Sequence, residues 1–132
     1  EILLSTSTNL NFVVICLVLS SLNLNYLKRH EEWCRIIFRE NFKIFYERMW
    51  DKSQGISINN LNEQLLKDGI KDAQNLDEDF ADKNRAIEYY ESALKNNFSD
   101  KQKMLKELLA FDGSRKQNFK DYLDPMLVDW LT

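Results

Sequence analysis

The residues best suited to chemistry are His30 and Cys34, which stand four positions apart. In a helix this spacing places both side chains on one face, where an imidazole can activate a thiol as a nucleophile. Such pairs commonly arise by accident on half-buried helix faces, and a thiol in apolar surroundings is inert. We therefore expect no catalysis from this pair.

Other catalytic or metal-binding patterns are missing from the sequence. It holds no Cys-x-x-Cys and no His-Glu-x-x-His motif, which are typical of zinc sites. The three glycines, Gly55, Gly69 and Gly113, are too scattered for a phosphate-binding loop. Cys16 and Cys34 both have apolar neighbours, which favours two reduced core thiols. The sequence thus predicts a protein without catalytic activity, cofactor or metal, in the cytoplasm or nucleus.

The composition indicates a helical fold. The chain of 132 residues contains only 3 glycines and 1 proline, too few for the turns of a sheet-rich fold. Its net charge of −3 gives no general attraction to nucleic acid. The length is that of one domain, so we expect a single all-helical domain over residues 1–132. Because the chain begins at Glu1 and not at Met, we also expect it to be a fragment of a longer protein.

The most apolar stretch is NFVVICLVLSSL, residues 11–22. Its strict apolar run, from Phe12 to Leu19, is shorter than the roughly 20 residues that a bilayer core requires. A window from 10 to 27 is long enough but includes three asparagines. A buried helix is apolar all round, and Thr8 or Asn9 can cap its start. We interpret the stretch as a core helix and keep a membrane span near 10–27 as the alternative.

Residues 26–50 are predicted to form a second long helix. Apolar and aromatic residues recur there at spacings of three and four, which is one broad helix face. This aromatic surface must contact several neighbouring helices or a partner protein. A homodimer interface is one such partner contact. The opposite face carries Arg35, Arg39 and Lys43, interrupted by acidic residues. The interruption favours a solvated face over a phosphate-binding stripe.

The remaining sequence predicts shorter amphipathic helices. Capping signals and apolar periodicity place them near 60–76, 83–98, 100–113, 114–123 and 125–131. The predicted fold is therefore all-α, a compact multi-helix bundle or a repeat-like helical-hairpin domain of about six to seven helices. The two long apolar helices come first and supply the core for the others.

Residues 85–97, RAIEYYESALKNN, resemble the second helix of a tetratricopeptide repeat in their small residue, paired aromatics and Ala-Leu ending. The resemblance covers about a tenth of the chain and implies a helical-hairpin scaffold. The preceding segment, from Leu61 to Leu76, lacks the pattern of the repeat's first helix, and no second copy occurs at the repeat's period. No functional residue is carried over from the family.

The sequence-based hypothesis is a non-catalytic protein–protein interaction module, part of a scaffold or adaptor. Helical hairpins leave grooves that bind a helix or an extended peptide of a partner. The candidate contacts are aromatic, apolar or basic: Trp33, Arg35, Arg39, Lys43, Met126, Leu127 and Trp130.

Three alternatives accompany this hypothesis. One is phosphate or nucleic-acid binding through the basic helix face, which the net negative charge opposes. Another is the membrane-anchored protein with a span near 10–27. The third is a secreted helical signalling protein, favoured by the glycosylation pattern Asn97-Phe98-Ser99.

Overall fold

A computed structural model describes residues 12–49 and 54–132, and within them the chain forms two β-strands and five α-helices. The strands are β1 (Val13–Val18) and β2 (Phe42–Glu47). The helices are α1 (Leu27–Phe38), α2 (Glu63–Gln74), α3 (Lys83–Lys95), α4 (Lys101–Arg115) and α5 (Pro125–Leu131). Short 3-10 helices at Ser21–Asn23, Ile58–Asn60 and Phe119–Asp121 lie in the connections.

The first three elements form a β–α–β unit. β1 and β2 are parallel, paired from Val13 with Phe42 to Val18 with Glu47, and α1 is the crossover between them. The other side of β2 pairs with a short extended segment around Ala81. Ile44 N donates to Phe80 O at 2.8 Å, and Ile44 O accepts from Asp82 N at 2.9 Å. In the part of the chain that the structure describes, β2 is therefore the inner strand, and β1 lies at an edge.

The predicted all-α fold is wrong. The expected core helix over 11–22 is instead β1, followed by a 3-10 helix, and its proposed caps at Thr8 and Asn9 lie outside the described residues. The run Val13-Val14-Ile15 is β-branched, which lowers helix propensity and suits a strand. Fully apolar runs of this length occur both in buried helices and in parallel strands.

The expected long helix over 26–50 is also wrong, because it breaks into α1 and β2. α1 ends at Phe38, and Arg39 takes a left-handed φ of 58° while its N–H donates to Arg35 O. Beyond this point Phe42, Ile44 and Tyr46 are buried at every second position, with more exposed residues between them. This is the period of a strand and not that of a helix.

The later helices follow their sequence signals more closely. Asn62, Asp82 and Asp100 each accept at the side chain from the N–H three residues ahead, as N-caps do. α5 begins at Pro125 behind the cap Asp124. The expected helix end at Gly113 is wrong, since α4 runs on to Arg115, and a 3-10 turn replaces most of the expected helix over 114–123.

The core lies between the inner face of the sheet and the helices. Phe42, Ile44 and Tyr46 point into it from β2, and Tyr90 of α3 is also fully buried. α2 and α3 pack side by side as a helical hairpin, and a Cβ added at Gly69 would lie 2.9 Å from the Tyr90 ring. Residues 85–95 of the segment that resembles a tetratricopeptide helix belong to α3, and this helix packs in a domain that also contains a sheet.

Among the described residues, no helix combines the length and the apolar character that crossing a bilayer requires. The described part of the proposed span, from Phe12 to Leu27, contains a strand, a 3-10 turn and the first residue of α1. Its first two residues, Leu10 and Asn11, lie outside the described part of the chain.

Candidate functional site

The outer edge of β1 carries backbone groups that no described strand pairs. Val13 N donates to Asn41 O and Leu19 N donates to Glu47 O, both at 2.9 Å, so the odd-numbered residues of β1 direct their N–H and C=O toward β2. Alternation along the strand then points the N–H and C=O of Val14, Cys16 and Val18 outward. We call these outward groups the open edge.

The face of the sheet that points away from α1 is accessible, and along β1 it is apolar. In the parallel register Val14, Cys16 and Val18 share this face with Phe45 of β2. Val14 is 60% exposed, Phe45 is 38% exposed and Cys16 is also exposed. We call these four side chains the outer face. Parallel sheets are normally covered on both faces, so an accessible apolar face of this kind is a candidate contact surface.

A groove follows the inner side of β1. It has a volume of about 440 Å³ and lies between Ile15 and Leu17 of β1 and the side of α1 that carries Arg29, His30, Trp33 and Cys34. Trp33 is 57% exposed. We call this the β1 groove. The open edge therefore has an apolar groove on one side and the apolar outer face on the other.

Two carboxylates hold α1, the wall of this groove. Tyr26 occupies the N-cap position of α1, but its side chain makes no capping hydrogen bond. Asp72 of α2 caps the helix instead, accepting from Leu27 N at 2.9 Å and from Lys28 N at 3.4 Å. Glu31 is fully buried and accepts from Asp77 N at 2.7 Å and Lys28 Nζ at 2.8 Å. The position of α1 over the sheet is thus fixed by residues far away in the sequence.

His30 and Cys34 both line the β1 groove, on the same side of α1. Burial and, second, the negative charge of Glu31 raise the pKa of the Cys34 thiol. The thiol therefore stays protonated at neutral pH, whereas a nucleophilic cysteine needs the thiolate. This environment suits a packing role for Cys34.

The basic residues singled out from the sequence differ in their surroundings. Arg35 forms an ion pair with Asp77 at 2.5 Å, and its guanidinium lies 4.4 Å from the centre of the Phe80 ring. Lys43 Nζ donates to the Glu78 carbonyl at 2.6 Å. Both residues thereby bind the loop that pairs with Ile44. Arg39 is exposed beyond the end of α1.

The candidate contacts in α5 divide between surface and core. Met126 is largely exposed, whereas Leu127 is fully buried. Trp130 is partly buried and packs against the core. Of the seven candidate residues, only Trp33 lies at the β1 groove.

A second groove, of about 450 Å³, lies at the carboxyl end of β2. It is lined by Arg48 and Arg85 but also by Glu47 and Glu88, together with Tyr89 and Ser92. Ligands of open α/β sheets commonly bind at the carboxyl ends of strands. The balanced charges of this groove favour neither an anion nor a cation.

The open edge and the outer face were not among the sequence-based candidates. Val14, Cys16, Val18 and Phe45 were assigned to helices, and their exposure follows only from the strand register. A signal was available in residues 42–47, FKIFYE, where buried and more exposed positions alternate. Nothing in the sequence marks β1 as the edge strand, since edge position depends on what pairs with it.

Within residues 12–49 and 54–132, no three His, Cys, Asp or Glu side chains converge at a point where a metal ion would bind. Comparison with protein-family models, curated proteins and solved structures finds no match for this chain.

Proposed function

We propose that this chain is a non-catalytic protein–protein interaction module, of the scaffold or adaptor kind, that binds an extended segment of a partner along β1. The observation that carries the proposal is the open edge of β1. Strands at sheet edges normally carry lysine, proline or a bulge that prevents pairing with other chains. β1, with the sequence VVICLV, contains no charge, no proline and no glycine.

The backbone supplies the first part of the affinity. The outward residues Val14 and Cys16 each offer one N–H donor and one C=O acceptor, and Val18 offers its N–H. The Val18 carbonyl already accepts from Asn23 Nδ2 at 2.8 Å, and its second lone pair is left for a partner. A net gain of about 1 kcal/mol per hydrogen bond is typical when a strand is added. This mode of recognition is β-strand addition, in which main-chain hydrogen bonds give affinity and side-chain pockets give specificity.

The side chains beside the edge indicate which partner fits. Alternate side chains of an added strand point to opposite faces of the sheet. One set would enter the β1 groove and contact Trp33, and the other would lie beside Val14 and Val18 on the outer face. Next to β1 both surroundings are mainly apolar, with the charged Lys43 and Glu47 one strand further away on β2. The expected partner segment is therefore extended, uncharged and rich in β-branched or aromatic residues.

The engagement of other candidate residues supports this proposal over the alternatives. Arg35 and Lys43 are bound to the loop from Asp77 to Phe80, which reduces their availability to phosphate. The Asn97 side chain of the glycosylation pattern donates from Nδ2 to the carbonyls of Asn59 and Leu61, so its amide nitrogen has a structural role.

The test is a titration with a labelled strand peptide. The probe is a fluorescein-labelled peptide of alternating threonine and valine, about six residues long, and the readout is fluorescence anisotropy. The protein is used at concentrations where light scattering gives a monomer. Val14→Pro removes an outward N–H and no hydrogen bond to β2, and proline is tolerated in edge strands at such positions.

The matched control is Val14→Thr, which keeps the N–H and the β-branched shape. We expect saturable binding to the natural sequence and to Val14→Thr, and loss of binding in Val14→Pro with an unchanged circular dichroism spectrum. Absence of binding to the natural sequence, or equal binding to folded Val14→Pro, would overturn the proposed function.

A further inference from the structure

We infer that the segment which pairs with the open edge is β1 of a second copy of this chain, so that two molecules form a symmetric dimer with a continuous four-stranded sheet. The inference rests on the proposed function, because it identifies the partner of the same edge. It follows from the direction of the outward groups, the symmetry of the β1 sequence and the distribution of charge beside it.

The direction of the backbone groups restricts the register. In an antiparallel pair, residues whose N–H and C=O face the partner exchange two hydrogen bonds with the residue opposite. The outward residues of β1 are Val14, Cys16 and Val18. Pairing around a two-fold axis with the greatest overlap therefore sets Cys16 opposite Cys16 of the second copy, and Val14 opposite Val18 of the second copy.

The side chains agree with this register. The outward set reads Val-Cys-Val and is symmetric about Cys16, so the two-fold axis pairs each valine with a valine. Cross-strand pairs of β-branched residues stabilise sheets. A surface that is complementary to itself is what a two-fold symmetric interface requires.

The charges beside β1 are also complementary under the same symmetry. On the same side of the sheet as the outer face, Lys43 is paired with Val14, and Glu47 is paired with Val18. After a two-fold rotation, each row across the sheet begins with Lys43 of one copy and ends with Glu47 of the other. β1 contains no charge, so no like charges meet at the seam.

The inner side of the sheet closes in the same arrangement. The two-fold axis stands perpendicular to the sheet, so α1 of both copies lies on the inner side, one beside the other. Trp33 is 57% exposed and faces the β1 groove. Each α1 would then cover the inner side of the seam, and Trp33 would be removed from water, as aromatic residues at interface centres commonly are.

The first experiment measures the molar mass of the full chain by light scattering on a sizing column over a range of concentrations. We expect a monomer–dimer equilibrium that Val14→Pro shifts to the monomer and Val14→Thr leaves unchanged. A short bis-maleimide reagent should link the two copies through Cys16, whose Cα atoms would be about 5.5 Å apart in this register. Cys16→Ser should abolish the cross-link.

Charged substitutions at Cys16 test the register. They should not disturb the fold of the monomer, because this side chain is exposed. Cys16→Lys and Cys16→Asp each place like charges opposite one another at the two-fold axis. Each should raise the dimer dissociation constant about five-fold. Mixing the two variants should restore dimerisation as a heterodimer.

The outcomes separate this inference from the proposed function. A dimer whose dissociation constant is unchanged by Val14→Pro and by the charged substitutions at Cys16 overturns the inference. A monomer at every concentration also overturns it. If that monomer still binds the threonine–valine peptide in a Val14-dependent way, the proposed function stands and its partner is another protein. If the monomer binds no peptide, both fail.

Discussion

Cys16 lies directly beside Phe45 in the parallel register of the two strands, and both side chains emerge on the outer face of the sheet. The pair connects the first strand to the second on the face that α1 does not cover. The other cysteine, Cys34, is buried beside the opposite side of β1. The reactivity of the two thiols can therefore be used to measure the accessibility of the two sides of β1.

The first prediction concerns the reactivity of these thiols. A maleimide reagent at pH 7 should modify Cys16 rapidly in the folded protein, whereas Cys34 should react only after unfolding. Cys34 is buried, and burial and Glu31 raise the pKa of its thiol, so both access and thiolate are limited. Mass spectrometry gives the number of adducts, and folded Cys16→Ser should show none. Rapid double modification of the folded natural sequence would contradict the assignment of the faces.

The second prediction compares neighbouring positions of β2. Ile44 is fully buried on the inner side, whereas Phe45 is 38% exposed on the outer face. Ile44→Ala should lower the free energy of unfolding by about 2–5 kcal/mol, because it leaves a cavity in the core. Phe45→Ala should lower it by about 1 kcal/mol or less. Denaturant unfolding followed by circular dichroism measures both, and equal losses would mean that the register is displaced.

A third prediction concerns the start of α1. Asp72 caps this helix from α2 through Leu27 N and Lys28 N. Asp72→Ala should lower the free energy of unfolding by about 1–2 kcal/mol, as loss of a helix cap does. Asp72→Asn keeps an oxygen acceptor and should retain most of the stability. The exposed Lys71→Ala on the same helix is the control, and a loss as large as that of Asp72→Ala would count against the capping role.

The fourth prediction is a loss of stability at alkaline pH. Burial, followed by the charges of nearby carboxylates, raises the pKa of Tyr46 and Tyr90. Burial and the hydrogen bond to Asp112 raise the pKa of Tyr122 to about 12. A tyrosine whose folded pKa exceeds its unfolded value of about 10 contributes stability below pH 10 that is lost as the pH rises through the folded value.

The protein should therefore unfold progressively between about pH 10 and 12, and absorbance of tyrosinate should rise together with the loss of the circular dichroism signal. The Tyr46 hydroxyl is buried and meets no hydrogen-bond partner among the described residues, so Tyr46→Phe should shift this transition to higher pH without loss at neutral pH. Ionisation of all tyrosines with an unchanged circular dichroism spectrum would be incompatible with their burial.

The helices after residue 60 were largely predictable from the sequence because their signals are local. Asp82, Asp100 and Asp124 cap helices within a few residues, and apolar periodicity marks the buried sides. The strands β1 and β2 were not, because an apolar run such as VVICLV fits a helix or a strand equally by pattern. The strand forms because it pairs with residues that are distant in sequence, as Cys16 pairs with Phe45, and a local pattern cannot show this pairing.

The candidate site was predictable only in part for the same reason. Trp33 was identified as a surplus aromatic residue, and the structure brings it to the β1 groove. Arg35 and Lys43 were expected on a solvated helix face, yet they bind Asp77 and Glu78, which lie more than thirty residues further along the chain. The open edge is a property of the sheet as a whole, since it depends on which strand has only one neighbour.

The most direct test of the open edge as a binding site is residue-resolved amide hydrogen exchange along β1 in dilute protein, with and without the threonine–valine peptide. Without peptide, Ile15 and Leu17 should exchange slowly because their N–H groups face β2, whereas Val14, Cys16 and Val18 should exchange rapidly. Addition of peptide should protect these last three amides. Uniform protection along residues 13–18, or no change when the peptide is added, would contradict the account.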